Sequence, residues 1–136
     1  MVVYVKTFSS RFQEEQPAAP ISVPPEPPAS SESVKRGADL FQSMNCWLCH
    51  GNEGRGNGPS ASSLTDSKGY AIKPFDLTSG TSLKCGDSDE GIVRALITGL
   101  DGTPMPSFSS ALKPDQVWDL VHYIATLRET AKHHGQ

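Results

Sequence analysis

The sequence predicts an all-α domain, three main helices joined by long loops, behind a proline-rich extension. Three observations lead there. Three separate stretches repeat apolar residues at the i, i+3, i+4, i+7 spacing of a helix face. Residues 51–86, between the first two stretches, are rich in Gly, Ser and Asn and show no clear period. Cys46-Trp47-Leu48-Cys49-His50 then places two thiols three apart with a histidine directly after the second.

Taken in order, Val2-Val3-Tyr4-Val5 is a short apolar patch with no basic segment before it and no small-residue cleavage site after it. It does not read as a signal peptide. Residues 2–8 (Val-Val-Tyr-Val-Lys-Thr-Phe) align with residues 121–127 (Val-His-Tyr-Ile-Ala-Thr-Leu), with Tyr and Thr at the same places. Two amphipathic segments alike by accident would give the same match. If the repeat is real, residues 1–12 are the helical tail of a preceding domain. Residues 13–31 carry Pro17, Pro20, Pro24, Pro25, Pro27 and Pro28, a polyproline-type linker that cannot build a core. Folding of the following domain, residues 32–132, is expected not to depend on either segment.

Ser30 or Ser31 can cap the first main helix, whose apolar side runs Val34, Gly37, Leu40, Phe41 and Met44. Asp87, with Glu90 three residues on, has the form of an acidic capping box opening a second helix with Ile92, Val93, Leu96 and Ile97, closed by Gly99. Pro114 suits the first turn of a third, in which Val117, Leu120, Val121, Ile124 and Leu127 make one face. Residues 133–136 read as a polar, disordered tail. A structureless loop as long as residues 51–86 inside a compact domain signals disorder or function; here it is expected to wrap a bound group.

The Cys-x-x-Cys-His motif names that group. Two thiols at this spacing add to the two vinyl groups of a porphyrin, and the adjacent imidazole then sits under the iron, as in c-type haem attachment. A Cys-x-x-Cys pair also serves as a redox dithiol or as half of a zinc site. The zinc reading lacks a second ligand pair, because Cys85 stands alone and His122, His133 and His134 have no finger-like spacing. The dithiol reading lacks the alternating strand–helix pattern that surrounds such a site. One haem c, covalent through Cys46 and Cys49 with His50 as proximal ligand, is therefore the expected cofactor.

Composition agrees. The chain has 136 residues, 36% of them hydrophobic, with 12 Gly and 11 Pro, so loops occupy much of its length and the apolar core is modest. A covalently held porphyrin supplies the apolar body such a scaffold needs. A net charge of −3 without a basic cluster excludes nucleic acid as a partner. No run is long enough to span a bilayer.

On these residues the chain resembles the class I cytochrome c family over about residues 32–132. The family crosses its first and last helices with a small residue admitting an aromatic, and Gly37 with Phe41 and Leu120 with Tyr123 match that pattern. The segment Gly102-Thr103-Pro104-Met105-Pro106-Ser107-Phe108 resembles the family's distal loop, which implies Met105 as the sixth iron ligand. A thioether favours Fe(II) and raises the potential relative to a second imidazole. Met44 is tethered beside Cys46, His122 lies on the last helix, and His133 and His134 belong to the tail. The resemblance also implies a proline carbonyl as acceptor for the second ring nitrogen of His50, and Pro59 is the matching residue. Arg94 is a candidate partner for a haem propionate or else a solvated helix-face cation; Tyr70, Lys73 and Trp47 are also in question for the haem edge. Cys85 is expected to be a free thiol.

Filled axial positions leave no room for substrate, so the resemblance implies a one-electron carrier, not an enzyme, in a respiratory chain. The competing class, a haem-based enzyme or gas sensor, needs a displaceable Met105 and polar groups above it, and residues 103–108 carry no acid–base pair. Because haem is attached outside the cytoplasm in proteins of this kind, a periplasmic or other extracytoplasmic location is implied, and the chain is expected to be a processed form or part of a larger protein. Its partners would be redox proteins, such as a molybdenum-containing oxidoreductase or another haem domain.

Overall fold

The computed structural model describes residues 2–16, 19–83, 86 and 88–133. Along them lie helices α1 (Val2–Lys6), α2 (Arg11–Glu14), α3 (Ser31–Ser43), α4 (Trp47–His50), a 3₁₀ turn at Ala61–Ser63, α5 (Asp89–Thr98) and α6 (Pro114–His133). Among the described residues the only extended pairing is an isolated antiparallel bridge, Thr65 with Ala71. The fold is therefore all-α, with α3, α5 and α6 as its main helices.

Helix α3 starts where its sequence supplies hydrogen bonds for the first turn. Ser30 is the cap: its hydroxyl accepts from Ser33 N at 3.1 Å, and the Ser33 hydroxyl accepts from Ser30 N at 3.0 Å. The helix stops at Asn45, which takes a left-handed φ of +60° and turns the chain directly into α4. Helix α5 departs from expectation at its start. Its cap is Ser88, whose hydroxyl accepts from Gly91 N at 3.1 Å, while Asp87 lies outside the described residues. Glu90 is then not part of a capping box, and pairs instead with Arg94 one turn on, at 2.5 Å.

Helices α3 and α6 cross in close contact. A Cβ built on Gly37 would lie 2.0 Å from the Asp119 carbonyl oxygen and 2.7 Å from Tyr123 Cβ, so only glycine admits this approach. Phe41, fully buried, meets Tyr123 edge-on with ring centroids 5.4 Å apart. Polar contacts flank the crossing. Arg36 grips Asp119 through two 2.7 Å bonds, and Ser33 Oγ lies 2.9 Å from Nδ1 of buried His122. The core between α3, α5 and α6 is built from Phe41, Ile92, Val93, Leu96, Leu120, Val121 and Ile124.

The proline-rich segment lies as a strap on the domain at Val23 and Pro24. Val23 packs on the core, and the indole N–H of buried Trp118 donates to Pro24 O at 3.2 Å. Upstream, Val2, Val3, Tyr4, Val5, Phe8 and Phe12 stay exposed. Downstream, α6 extends to His133; residues 134–136, and His134 with them, lie outside the described residues, as does Cys85. No described helix is long and apolar enough to cross a membrane.

Candidate haem site

Cys46, the residue that opens helix α4, and Cys49 and His50 within it line one wall of a cavity of about 350 Å³. The wall is held from behind by the loop that follows. Gly56 N donates to His50 O at 2.7 Å, Gly58 N to Cys49 O at 3.1 Å and Ser60 N to Leu48 O at 2.8 Å. These bonds satisfy the carbonyls left open at the end of a short helix. A side chain at Gly58 would meet Leu48 O at 2.3 Å, so this loop closes only with glycine there.

The acceptor for the His50 ring is Phe75, whose carbonyl lies 3.0 Å from Nδ1. This corrects the expectation for Pro59, which sits exposed on the loop behind α4. Chain path decides it, because residues 72–77 run along the cavity wall while residue 59 turns away to cover the α4 carbonyls. With Nδ1–H donating to Phe75, the lone pair is left on Nε2, the arrangement a metal-bound imidazole needs. Burial pushes the His50 pKa down and so favours the neutral ring; the Phe75 bond opposes this in part, and a neutral ring still makes that bond from Nδ1. Burial likewise raises the Cys46 thiol to about 11.

Met105 lines the same cavity, on the segment after α5. That segment folds back on the helix end. Leu100 N donates to Met105 O at 3.2 Å, Ser107 Oγ to Ile97 O at 2.5 Å and Phe108 N to Leu96 O at 2.9 Å. Gly99, at φ +70°, permits the return, since a Cβ there would lie 2.7 Å from Ser107 N. Thr103 Oγ1 donates to Leu100 O at 2.7 Å and accepts from Met105 N at 3.3 Å, which stiffens the turn just before the methionine.

Elsewhere the lining is mostly apolar, including Phe41, Ile92, Leu96, Leu120 and Ile124, with Asn45, Lys73 and Thr103 as its polar members. The sequence-stated candidates divide here: Cys46, Cys49, His50, Met105 and Lys73 line the cavity, whereas Pro59, Arg94, Tyr70 and Trp47 do not. Arg94, read from sequence as either a propionate partner or a helix-face cation, lies on the exposed side of α5 and pairs with Glu90. Met44 also lines the cavity, beside Cys46, as its place in the chain requires. His122 is engaged with Ser33 at the helix crossing. Phe75 was not legible as a site residue, for a backbone carbonyl carries no side-chain signature. An apolar chamber with two thiols and an oriented imidazole on one wall and a thioether among its other lining groups suits a porphyrin.

These features define a small haem-binding electron-transfer domain, and comparison with known proteins gives its family. The model of the Cytochrome c family matches residues 34–128, and the chain belongs to that family. Its cofactor is therefore haem c, held covalently through Cys46 and Cys49, and the domain serves haem-based electron transfer. A cbb3-type cytochrome c oxidase subunit, FixP, from Azorhizobium caulinodans is 32% identical over 100 residues, covering 74% of this chain and 29% of that protein. A chain of the Kuenenia stuttgartiensis reducing HAO-like protein complex Kustc0457/Kustc0458 superposes with a TM-score of 0.84 at 40% identity. That match covers 90% of this chain and 56% of the other, so the present chain spans only part of both relatives.

Proposed function

We propose that this domain is a one-electron carrier, and not itself an enzyme, whose haem iron is ligated by His50 and Met105. The single observation that carries the reading is the presence of both residues in the lining of one apolar cavity, each on a backbone braced by its own hydrogen bonds. When bound, haem c supplies an iron that accepts or releases one electron.

The protein's part is to keep the iron's surroundings alike in both oxidation states. The Phe75 carbonyl fixes the tautomer and orientation of His50. The braced turn at residues 99–108 presents Met105 without having to order a floppy segment, so a weak sulfur bond suffices. Apolar walls keep water away from the charge that changes. The partner is another redox protein, whether a haem domain or a metal-containing oxidoreductase such as a molybdenum enzyme, in an extracytoplasmic respiratory chain. Both relatives carry names of multi-component redox assemblies, which supports that reading.

The N-terminal segment fits a neighbouring haem domain. Thr7 Oγ1 donates to Tyr4 O at 2.7 Å, as Thr126 Oγ1 does to Tyr123 O at 2.7 Å, so the repeated residues also share a local bond. Val121 and Ile124 of α6 are buried against the core, while their counterparts Val2 and Val5 are exposed.

Carbon monoxide tests the carrier reading. The reduced wild-type protein is expected to bind it negligibly and Met105→Ala readily. Rapid binding by the wild type would favour the sensor or enzyme class instead.

A further inference from the structure

The cavity carries a cationic group that the motif and its ligands leave unused. Among its described lining residues are no carboxylates and a single ammonium group, Lys73. Lys73 is exposed and yet lines the chamber, which places it at the open edge. Among the described residues it has no hydrogen bond or ion pair. The arginines differ: Arg36 pairs with Asp119, Arg55 with Glu53 and Arg94 with Glu90.

Its backbone is well placed. The turn before it is tied by Asp66, which accepts from Lys68 N and Tyr70 N at 2.9 Å each, and by Ile72 N donating to Leu64 O at 3.1 Å. Pro74 restricts the residue preceding it to extended geometry. Two residues further on, the Phe75 carbonyl orients His50. One short strip therefore presents both a cation at the cavity edge and the acceptor for the imidazole.

An apolar chamber with one unpaired cation at its edge suits a ligand that is apolar in body and anionic at its rim. Haem has that form, with two propionates on one side of the ring. We propose that Lys73, rather than Arg94, Tyr70 or Trp47, pairs with a haem propionate. This rests on the haem site described above. A cation held there disfavours the more positive oxidised iron centre and so supports the reduced state.

The test compares wild type, Lys73→Arg, Lys73→Gln and the control Lys68→Gln as holoproteins, by spectroelectrochemistry and redox-difference infrared spectra. Lys73→Gln should lower the ferrous-to-ferric ratio at a fixed applied potential roughly three- to fivefold. It should also shift the propionate carboxylate bands. Lys73→Arg should restore both, and Lys68→Gln should move neither by a comparable amount. Equal changes in the two Gln variants, or unmoved carboxylate bands in Lys73→Gln, would overturn the pairing while leaving the haem site intact. A wild-type protein without covalent haem would overturn the site and the pairing together.

Discussion

Replacing Gly37 with alanine should destabilise this protein although it adds a single methyl group to a helix. The added Cβ would sit 2.0 Å from a backbone carbonyl oxygen, that of Asp119, which cannot swing aside as a flexible side chain can. Ordinary contact needs about 3.4 Å, so α3 and α6 must part by roughly 1.4 Å at their crossing. Three features depend on that separation: the Arg36–Asp119 pair, the Ser33–His122 bond and the Phe41–Tyr123 ring contact. Overpacking costs about 1–3 kcal/mol, and stretching the buried Ser33–His122 bond adds about 1 kcal/mol. Against this, alanine favours the helix by about 1 kcal/mol over glycine. A net loss of about 2 kcal/mol is expected. Guanidinium unfolding of the oxidised holoprotein, followed by far-ultraviolet circular dichroism, should show the midpoint falling by about 1 M, with the slope unchanged. A midpoint equal to or above that of wild type would refute the account of the crossing.

Two other outcomes follow from the site and the strap. Removing residues 1–16 should leave stability unaltered. Removing residues 1–29 also strips Val23 and the Pro24 acceptor from Trp118, and should cost about 1–3 kcal/mol with the haem spectrum intact; equal stability of the two truncations would show that the strap contributes nothing. Cys46→Ala should keep haem attached through Cys49 alone, giving a pyridine haemochrome band between those of two-thioether and free haem, and a band like that of the wild type would remove Cys46 from the attachment.

Where side chains carry the structure, the sequence was readable. The apolar stripes located α3, α5 and α6, and Gly37 with Phe41 and Leu120 with Tyr123 marked the crossing because size alone decides who can approach there. Serine hydroxyls marked the α3 start but were passed over at α5, where Asp87 and Ser88 are adjacent and both are good caps. Arg94 was ambiguous for the same kind of reason: a carboxylate four residues earlier on its own helix claims it locally, whatever lies nearby. Contacts made by backbone carbonyls could not be located: an acceptor for His50 was expected, but at Pro59. Phe75 holds His50, and Pro24 holds Trp118, through atoms that every residue possesses, so only the chain path reveals them. The resting place of the strap was not legible either, because its prolines describe stiffness and say nothing of where a stiff segment lies.

Axial ligation by His50 and Met105 is the central claim, and proton magnetic resonance of the reduced protein tests it most directly. A methionine methyl held against the porphyrin face lies in the ring current, so one three-proton resonance should appear far upfield and be absent from Met105→Ala. No such resonance in the wild type, or one that survives Met105→Ala and vanishes in Met44→Ala, would contradict the account.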